Sequence, residues 1–293
     1  MSDAPRKKTV LISGCSSGIG KALAIDFHNR GYNVVATARR LESIAPLADM
    51  GMTTLSLDIT KQETIESLKT LVDEATGGQL DILVNNAGTT AVMPLANATY
   101  EHASAVFHTN LFGHMAMVSS FLPLLMAAKG TVLNISSASS VAPFPFRGLY
   151  AMTKAALNAY GRNLAIELSP FGVHVLTVIA GYVETGLSSH SSLPLPEDSL
   201  YKVLEGQFRR GNPAKCMPAD VFARQVVDEV EKGRGWGLGS WRFGAMKEWL
   251  WAGTSATVVS WLALLGEGVL QGLSKNLTKW DQVTEILVEA NKV

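Results

Sequence analysis

The stretch "YAMTK" places a phenol, Tyr150, and an ammonium, Lys154, four residues apart, where a run of small and apolar residues, "AALNAYGRNLAIEL", begins. Residues at i and i+4 of a helix are neighbours on one face, so the two groups would sit one turn apart. A phenol with its ordinary pKa near 10 is a poor acid or base at neutral pH. A neighbouring ammonium favours the phenolate, which would make the pair a device for moving a proton. The same spacing is common on solvated helix faces, so it leaves both interpretations open.

A second stretch, "SGCSSGIGKAL", carries Gly14, Gly18 and Gly20 between a β-branched run and a segment of helical period. Glycines there let the backbone turn tightly and approach a pyrophosphate at the positive end of the helix, with Ser16, Ser17 and Ile19 completing the turn. In the next β-branched run, "VVATARRLE", Ala38 stands where a protein selecting NAD would place a carboxylate for the ribose 2′-OH. Arg39 and Arg40 follow and would meet a 2′-phosphate with guanidinium, so the inferred cofactor is NADPH/NADP+. Two solvated arginines at a helix start would look the same. Asp58 of "LDIT" is a candidate acceptor for the adenine amino group, and Asn86, Ala87 and Gly88 of "NNAG" would let a ligand lie against the backbone. No metal site is expected.

These stretches need strands and helices to hold them. The runs "TVLIS", "NVVATA", "TTLSL", "DILVNN", "GTVLNIS" and "VHVLTVIA" read as strands. Between them lie "IGKALAIDFHNRG", "QETIESLKTLVDEAT", the segment 100–128 and a helix beginning near Tyr150. Strict alternation implies βαβ crossovers and a parallel sheet covered on both faces. The expectation is an α/β fold, a Rossmann-type doubly wound parallel sheet, in one domain over residues 1–232 with a helical extension over 233–293. Ligands of such sheets sit beyond the carboxyl ends of the strands, where the stretches above fall.

The chain of 293 residues has 47% hydrophobic residues and no formal net charge, enough for a sizeable core and without a field to attract nucleic acid. Cys15 and Cys216 make no disulfide framework, and no signal-peptide pattern opens the sequence, which fits a reducing, cytoplasmic setting. The sequon at Asn134 falls in a run expected to be a buried strand.

Taken together and in this order, G-x-x-x-G-x-G, "NNAG", the Asn of "TNLFG", the Ser of "NISS" thirteen residues before a Tyr, and "YAMTK" resemble the NADP-preferring branch of the short-chain dehydrogenase/reductase superfamily over residues 8–232. The resemblance implies a catalytic set of Asn110, Ser137, Tyr150 and Lys154. In the reduction direction, Ser137 would hydrogen-bond the carbonyl oxygen as negative charge gathers there and Tyr150 would deliver the proton. Lys154 would also hold the nicotinamide ribose, and Asn110 would position a water leading from Lys154 to solvent. Asn110 could equally be a buried helix residue satisfied by backbone. After the sixth strand the family pattern Pro-Gly is replaced by Ala180-Gly181, which weakens the expectation that the Val183 backbone and Thr185 contact the cofactor. Length, "ISGCSSGIG", "ATAR" and the apolar tail resemble the 1-acyl-dihydroxyacetone-phosphate reductase-like group.

The resemblance implies a reductase acting on a hydrophobic ketone. Phe144, Phe146, Leu187, Leu193 and Leu195 are candidate pocket residues, and Arg147 or the pair Arg209 and Arg210 could meet an anionic head group. The same scaffold could serve as an isomerase or cyclase that moves a proton without net hydride transfer, or as a cofactor-bound binding protein, against which the intact Ser137, Tyr150 and Lys154 argue. The run from Trp249 to Gly266 carries no charge over eighteen residues, close to a membrane-spanning length. Its Gly, Thr and Ser dilute it. It reads as a helix packed on its own domain or a partner subunit, as a contact with the endoplasmic reticulum or a lipid droplet, or as a span. A homo-oligomer is expected.

Overall fold

The computed structural model describes residues 6–188, 193–207, 216–232, 249–263 and 267–291. Strands β1 (Thr9–Ile12), β2 (Asn33–Ala38), β3 (Thr53–Ser56), β4 (Ile82–Asn85), β5 (Thr131–Ser137), β6 (His174–Ala180) and β7 (Trp249–Ala252) form one parallel sheet. Its order is β3-β2-β1-β4-β5-β6-β7. The helices are α1 (Gly18–Asn29), α2 (Ala45–Asp49), α3 (Gln62–Thr76), α4 (Tyr100–Phe107), α5 (Gly113–Ala128), α6 (Gly148–Leu168), α7 (Ala219–Lys232), α8 (Ala256–Ala263), α9 (Glu267–Thr278) and α10 (Trp280–Asn291).

Period-2 alternation along the strands divides the core into two layers. Val10 and Ile12 of β1 point to the layer that holds Leu23 and Phe27 of α1 with Phe222 and Val226 of α7. Leu11 points to the other, with Leu68 of α3, Phe121 of α5 and Leu164 of α6. Strand order reverses between β1 and β4, and the crevice above that point is where such sheets bind ligands. The sequon residue Asn134 lies fully buried in β5.

The segment 100–128 is one helical run interrupted by a π turn at His108–Phe112. By length and composition it could cross a bilayer. Its inner face, however, buries Val106, Asn110, His114, Met117 and Phe121, two of them polar, as a core helix does.

The C-terminal apolar run departs from the expected single helix. Trp249–Ala252 is the seventh strand, paired in parallel with Thr177–Ala180 of β6. Gly253, at φ +97°, then turns the chain into α8. An uncharged run broken by Gly, Thr and Ser has no period that separates a strand from a buried helix. A strand, a turn and an eight-residue helix do not make the ~20-residue helix needed for a span. Val259 of α8 and Leu270 of α9 pack on Ala138, Ala142 and Ile179, beside Phe144, Trp249 and Trp251. Sheet and extension are thus joined above the ends of β5 and β6.

That joint depends on a close backbone approach. A Cβ at Gly181 would run into the Thr254 carbonyl oxygen and lie 3.0 Å from the Ala256 nitrogen. Gly181→Ala should therefore lower stability by about 1–3 kcal/mol, read as the urea midpoint. Gly272→Ala, on an α9 position with open space around it, should instead raise stability by up to about 1 kcal/mol. Equal midpoints for the two variants would remove the packing argument.

Candidate active site

A cleft of about 840 Å³ opens above the strand-order reversal. Behind its lining lies Ser13, the fully buried residue after β1, which the sequence pattern did not single out. The Ser13 hydroxyl donates to the Val84 carbonyl at 3.1 Å and accepts from the Asn86 and Ala87 amides at 3.0 and 3.1 Å. Asn86 Nδ2 returns bonds to the carbonyls of Ser13 and Gly14 at 2.9 and 3.0 Å. The glycine turn is thereby stapled to the end of β4. A Cβ on Gly14, at φ +76°, would stand 2.8 Å from Ala87 Cα. One on Gly20 would collide with the Gly14 carbonyl. Ser17 precedes α1 in extended conformation without a side-chain capping bond, so the first-turn amides keep the arrangement that suits an anion.

Gly14, Ser16, Ser17, Gly18, Ile19, Gly20, Arg39, Asp58, Asn86, Ala87, Gly88, Val183 and Thr185 all line this cleft. Arg40 does not. It has extended backbone and stays exposed, and its carbonyl accepts from Ser43 Oγ at 2.6 Å. Consecutive residues of an extended chain point to opposite sides, so only Arg39 faces the cleft. Burial raises the Asp58 carboxyl, but the Thr60 hydroxyl and amide, with Arg39 and Lys61, outweigh that and hold it below its ordinary pKa. Asp58 is thus ionised at neutral pH and can accept a hydrogen bond.

Ser137 ends β5, and its hydroxyl accepts from the Ser139 amide at 3.2 Å. Tyr150 and Lys154 lie on the buried face of α6. Lys154 Nζ donates to the Ile135 carbonyl at 2.8 Å and sits 5.7 Å from the Tyr150 ring centroid. Burial lowers Lys154 to about 8. Burial raises Tyr150, and the Ser137 hydroxyl and the Arg147 charge oppose it without reversing it. The expected ammonium-stabilised phenolate is therefore not what the chain alone produces. Desolvation wins, and the opposing cation is Arg147.

Asn158 continues the spacing of Tyr150 and Lys154 by four more residues, a polar stripe at i, i+4 and i+8 that is visible in the sequence. It accepts from Ser136 Oγ at 2.5 Å and donates to Ser140 Oγ at 2.7 Å, and Ser140 Oγ donates to the Ser137 carbonyl at 2.5 Å. This chain fixes the turn that presents Ser137. Asn110 is fully buried and does not line the cleft. Its amide accepts from Thr89 N at 2.8 Å and donates to Thr89 O at 2.8 Å and Thr153 Oγ1 at 3.0 Å. With both side-chain hydrogens committed to protein, it ties the π turn to the loop after β4 and to α6. His114, another unexpected participant, bonds through Nε2 to the Ala87 carbonyl at 2.8 Å. Burial, then the Lys154 charge, depress it to about 3 and keep it neutral.

A second chamber of about 300 Å³ meets the cleft at Ser137, Tyr150, Gly181 and Leu187. Phe144, Leu187 and Arg147 line it, as do Thr254, Val258 and Val259 around α8 and Leu270 and Ser274 of α9. Phe146, Leu193 and Leu195 do not. Phe146 meets the Tyr201 ring edge-on and the Trp280 ring at a tilt, whereas Leu193 and Leu195 pack with Met93, Val106 and Leu149 in a separate cluster. Arg209 and Arg210 lie outside the described residues. The arrangement presents two hydroxyls, from Ser137 and Tyr150, where a nucleotide-sized cleft opens into a mostly apolar chamber.

The family model for short chain dehydrogenases matches residues 8–194, and the chain belongs to that oxidoreductase family. It is 41% identical over 235 residues to the short-chain dehydrogenase ptmH of Penicillium ochrochloron, covering 78% of this chain and 86% of that protein. It is 37% identical over 259 residues to the NADPH-dependent 1-acyldihydroxyacetone phosphate reductase of Schizosaccharomyces pombe, covering 84% and 86%. A crystal structure of a short-chain dehydrogenase from Streptomyces avermitilis superposes with TM-score 0.73 at 28% identity, covering 96% of this chain and 98% of that one. Members of the family act on small molecules with a nicotinamide nucleotide.

The depressed Lys154 pKa has a measurable consequence. Its folded value near 8 lies below the value of 10.5 for the unfolded chain, so between those pH values the unfolded state binds more protons. The cost of the buried charge is fully present below about pH 8 and relieved as pH rises toward 10.5. In urea unfolding of the cofactor-free protein, wild type should gain up to roughly 3 kcal/mol relative to Lys154→Met across that range. A pH-independent difference would show that the ammonium is not desolvated.

Proposed function

We propose that this protein is an NADPH-dependent reductase that converts the ketone of a hydrophobic substrate to an alcohol, with Tyr150 as the proton donor. The observation that carries this is the position of Ser137 and Tyr150 at the junction of the two chambers, with Lys154 beneath them. When bound, the reduced nicotinamide supplies the hydride. The residues present fit that group. The first-turn amides of α1 would hold the pyrophosphate, Asp58 the adenine amino group, and Lys154 the nicotinamide ribose. Arg39 would pair with the 2′-phosphate, and Ala38 leaves no carboxylate to repel it. The Schizosaccharomyces pombe relative is described as NADPH-dependent, which supports the same preference.

At the carbonyl, the Ser137 hydroxyl would donate to the oxygen as charge develops, and the Tyr150 hydroxyl would pass its proton to the forming alkoxide. A phenol held above its ordinary pKa keeps its proton at neutral pH, as a donor in the reduction direction requires. The ammonium of Lys154 would stabilise the phenolate left behind. The apolar wall of Phe144, Leu187, Val258 and Leu270 accounts for a hydrophobic substrate.

Tyr150→Phe should leave NADPH affinity within about threefold of wild type and lower ketone turnover by roughly 10²-fold or more, followed as loss of absorbance at 340 nm. Full turnover in that variant would sink the proposal. Ala38→Asp combined with Arg39→Leu should weaken NADPH binding by about 1.5–3 kcal/mol and improve use of NADH. If wild type binds NADH as tightly as NADPH, the assignment of Arg39 is wrong.

A further inference from the structure

Arg147 stands three residues before Tyr150, immediately ahead of α6, and lines the second chamber with Tyr150 and Ser137. Among the described residues it is the one charged side chain in that lining. The rest are small, hydroxylic or apolar. Some cations in the described structure find counter-charges, although Arg39, Arg40 and Arg162 do not. Arg6 pairs with Asp81, Arg30 with Asp26, Asp228 and Glu231, and Lys202 with Glu197 and Glu205. Arg147 is half-buried and has no carboxylate within ion-pair distance among the described residues. Its charge acts instead on Tyr150 and Tyr182, two phenols of the chamber wall, lowering both against the effect of burial.

The backbone that presents Arg147 is held from three sides. Phe146 adopts φ +65°, a left-handed conformation that a bulky residue rarely takes. Its carbonyl accepts from the Met93 amide at 2.9 Å, and its ring lies 6.0 Å from that of Tyr201 and 5.7 Å from that of Trp280. Strained, over-determined backbone of this kind accumulates at ligand-binding positions. An unpaired guanidinium beside apolar surface is costly unless an anion meets it. Its planar fork matches carboxylate and phosphate alike.

We infer that Arg147 anchors an oxyanion, a carboxylate or a phosphate monoester, carried by an otherwise apolar substrate whose carbonyl reaches Ser137 and Tyr150. The substrate class is then an acidic amphiphile, with its head at Arg147 and its apolar part against Phe144, Val258 and Leu270. This rests on the proposed reductase function for the reacting group, while the anion contact stands on the chamber itself.

The test uses protein saturated with NADPH and measures binding of decanoate, decyl phosphate and decanol by calorimetry. At least one of the two anions should bind roughly tenfold or more tightly than decanol, and the one that does identifies the group. Arg147→Gln should bring that anion to within about threefold of decanol, and Arg147→Lys should restore part of the gap. Equal binding of all three probes to wild type, or an equal loss for all three in Arg147→Gln, would overturn the inference. Turnover of 4-oxodecanoate and its methyl ester separates this from the parent proposal. Reduction of both at equal kcat/KM removes the anion anchor alone. Anion-selective binding without turnover of either ketone removes the reductase function and leaves the anchor in place.

Discussion

An ammonium held out of water sets the terms for the rest of the site. Lys154 is nearly inaccessible, and among the described residues its ammonium donates to one partner, the Ile135 carbonyl near the end of β5. Desolvating a charge costs several kcal/mol even after relaxation, so the carbonyl has to be close and fixed. That closeness comes from how α6 lies on the sheet. Gly161, two turns beyond Lys154, has no room for a Cβ against Thr177 Oγ1, and Asn158 grips both Ser136 and Ser140. The same contact fixes Ser137 and places Tyr150 over the ammonium. His114 stays neutral because a second charge in that interior would be opposed by both burial and Lys154. Tyr150 holds its proton for a related reason, since burial penalises the phenolate more than nearby cations favour it.

Around this fixed centre, the two chambers divide the labour between sheet and loops. The cleft is made from strand ends and the first turn of α1, elements whose positions follow from the sheet itself. The second chamber is made from segments that follow β5, β6 and β7. Loops at the carboxyl edge of a parallel sheet vary without disturbing its core, which is how one scaffold serves many substrates. Here the extension contributes that wall, and Arg147 supplies its single charge among the described residues.

Much of this was legible in the sequence where local pattern and tertiary demand agree. Six strands announced themselves as β-branched runs, and the residues after them fall in the cleft because that is where parallel sheets bind ligands. The seventh strand was hidden, since four residues inside an uncharged run carry no period of their own and only pairing with β6 makes them a strand. Arg40 lies outside the cleft, and a dipeptide of two like residues does not say which one faces inward. Phe146, Leu193 and Leu195 are apolar and near the site, yet whether such residues line a cavity or close a neighbouring cluster depends on contacts more than 50 positions away in the case of Phe146 and Tyr201. The Tyr150–Lys154 pair was visible as a spacing, but its electrostatics were not. The direction of both pKa values is set by burial, which belongs to the assembled structure.

The parallel pairing of β7 with β6 also bears on how the chain comes into being. β6, "HVLTVIA", is rich in β-branched residues, and its outer edge is covered by Trp249–Ala252, which follow some seventy positions later. At ribosomal rates of roughly 5–20 residues per second, a nascent chain carries that edge bare for on the order of ten seconds. A long, uncharged, unpaired strand is a template for joining another chain. Arrival of Trp249–Ala252 ends that exposure, and the α8 and α9 residues that wall the substrate chamber follow directly behind. During synthesis, protection against aggregation and completion of the specificity pocket therefore come in a single step.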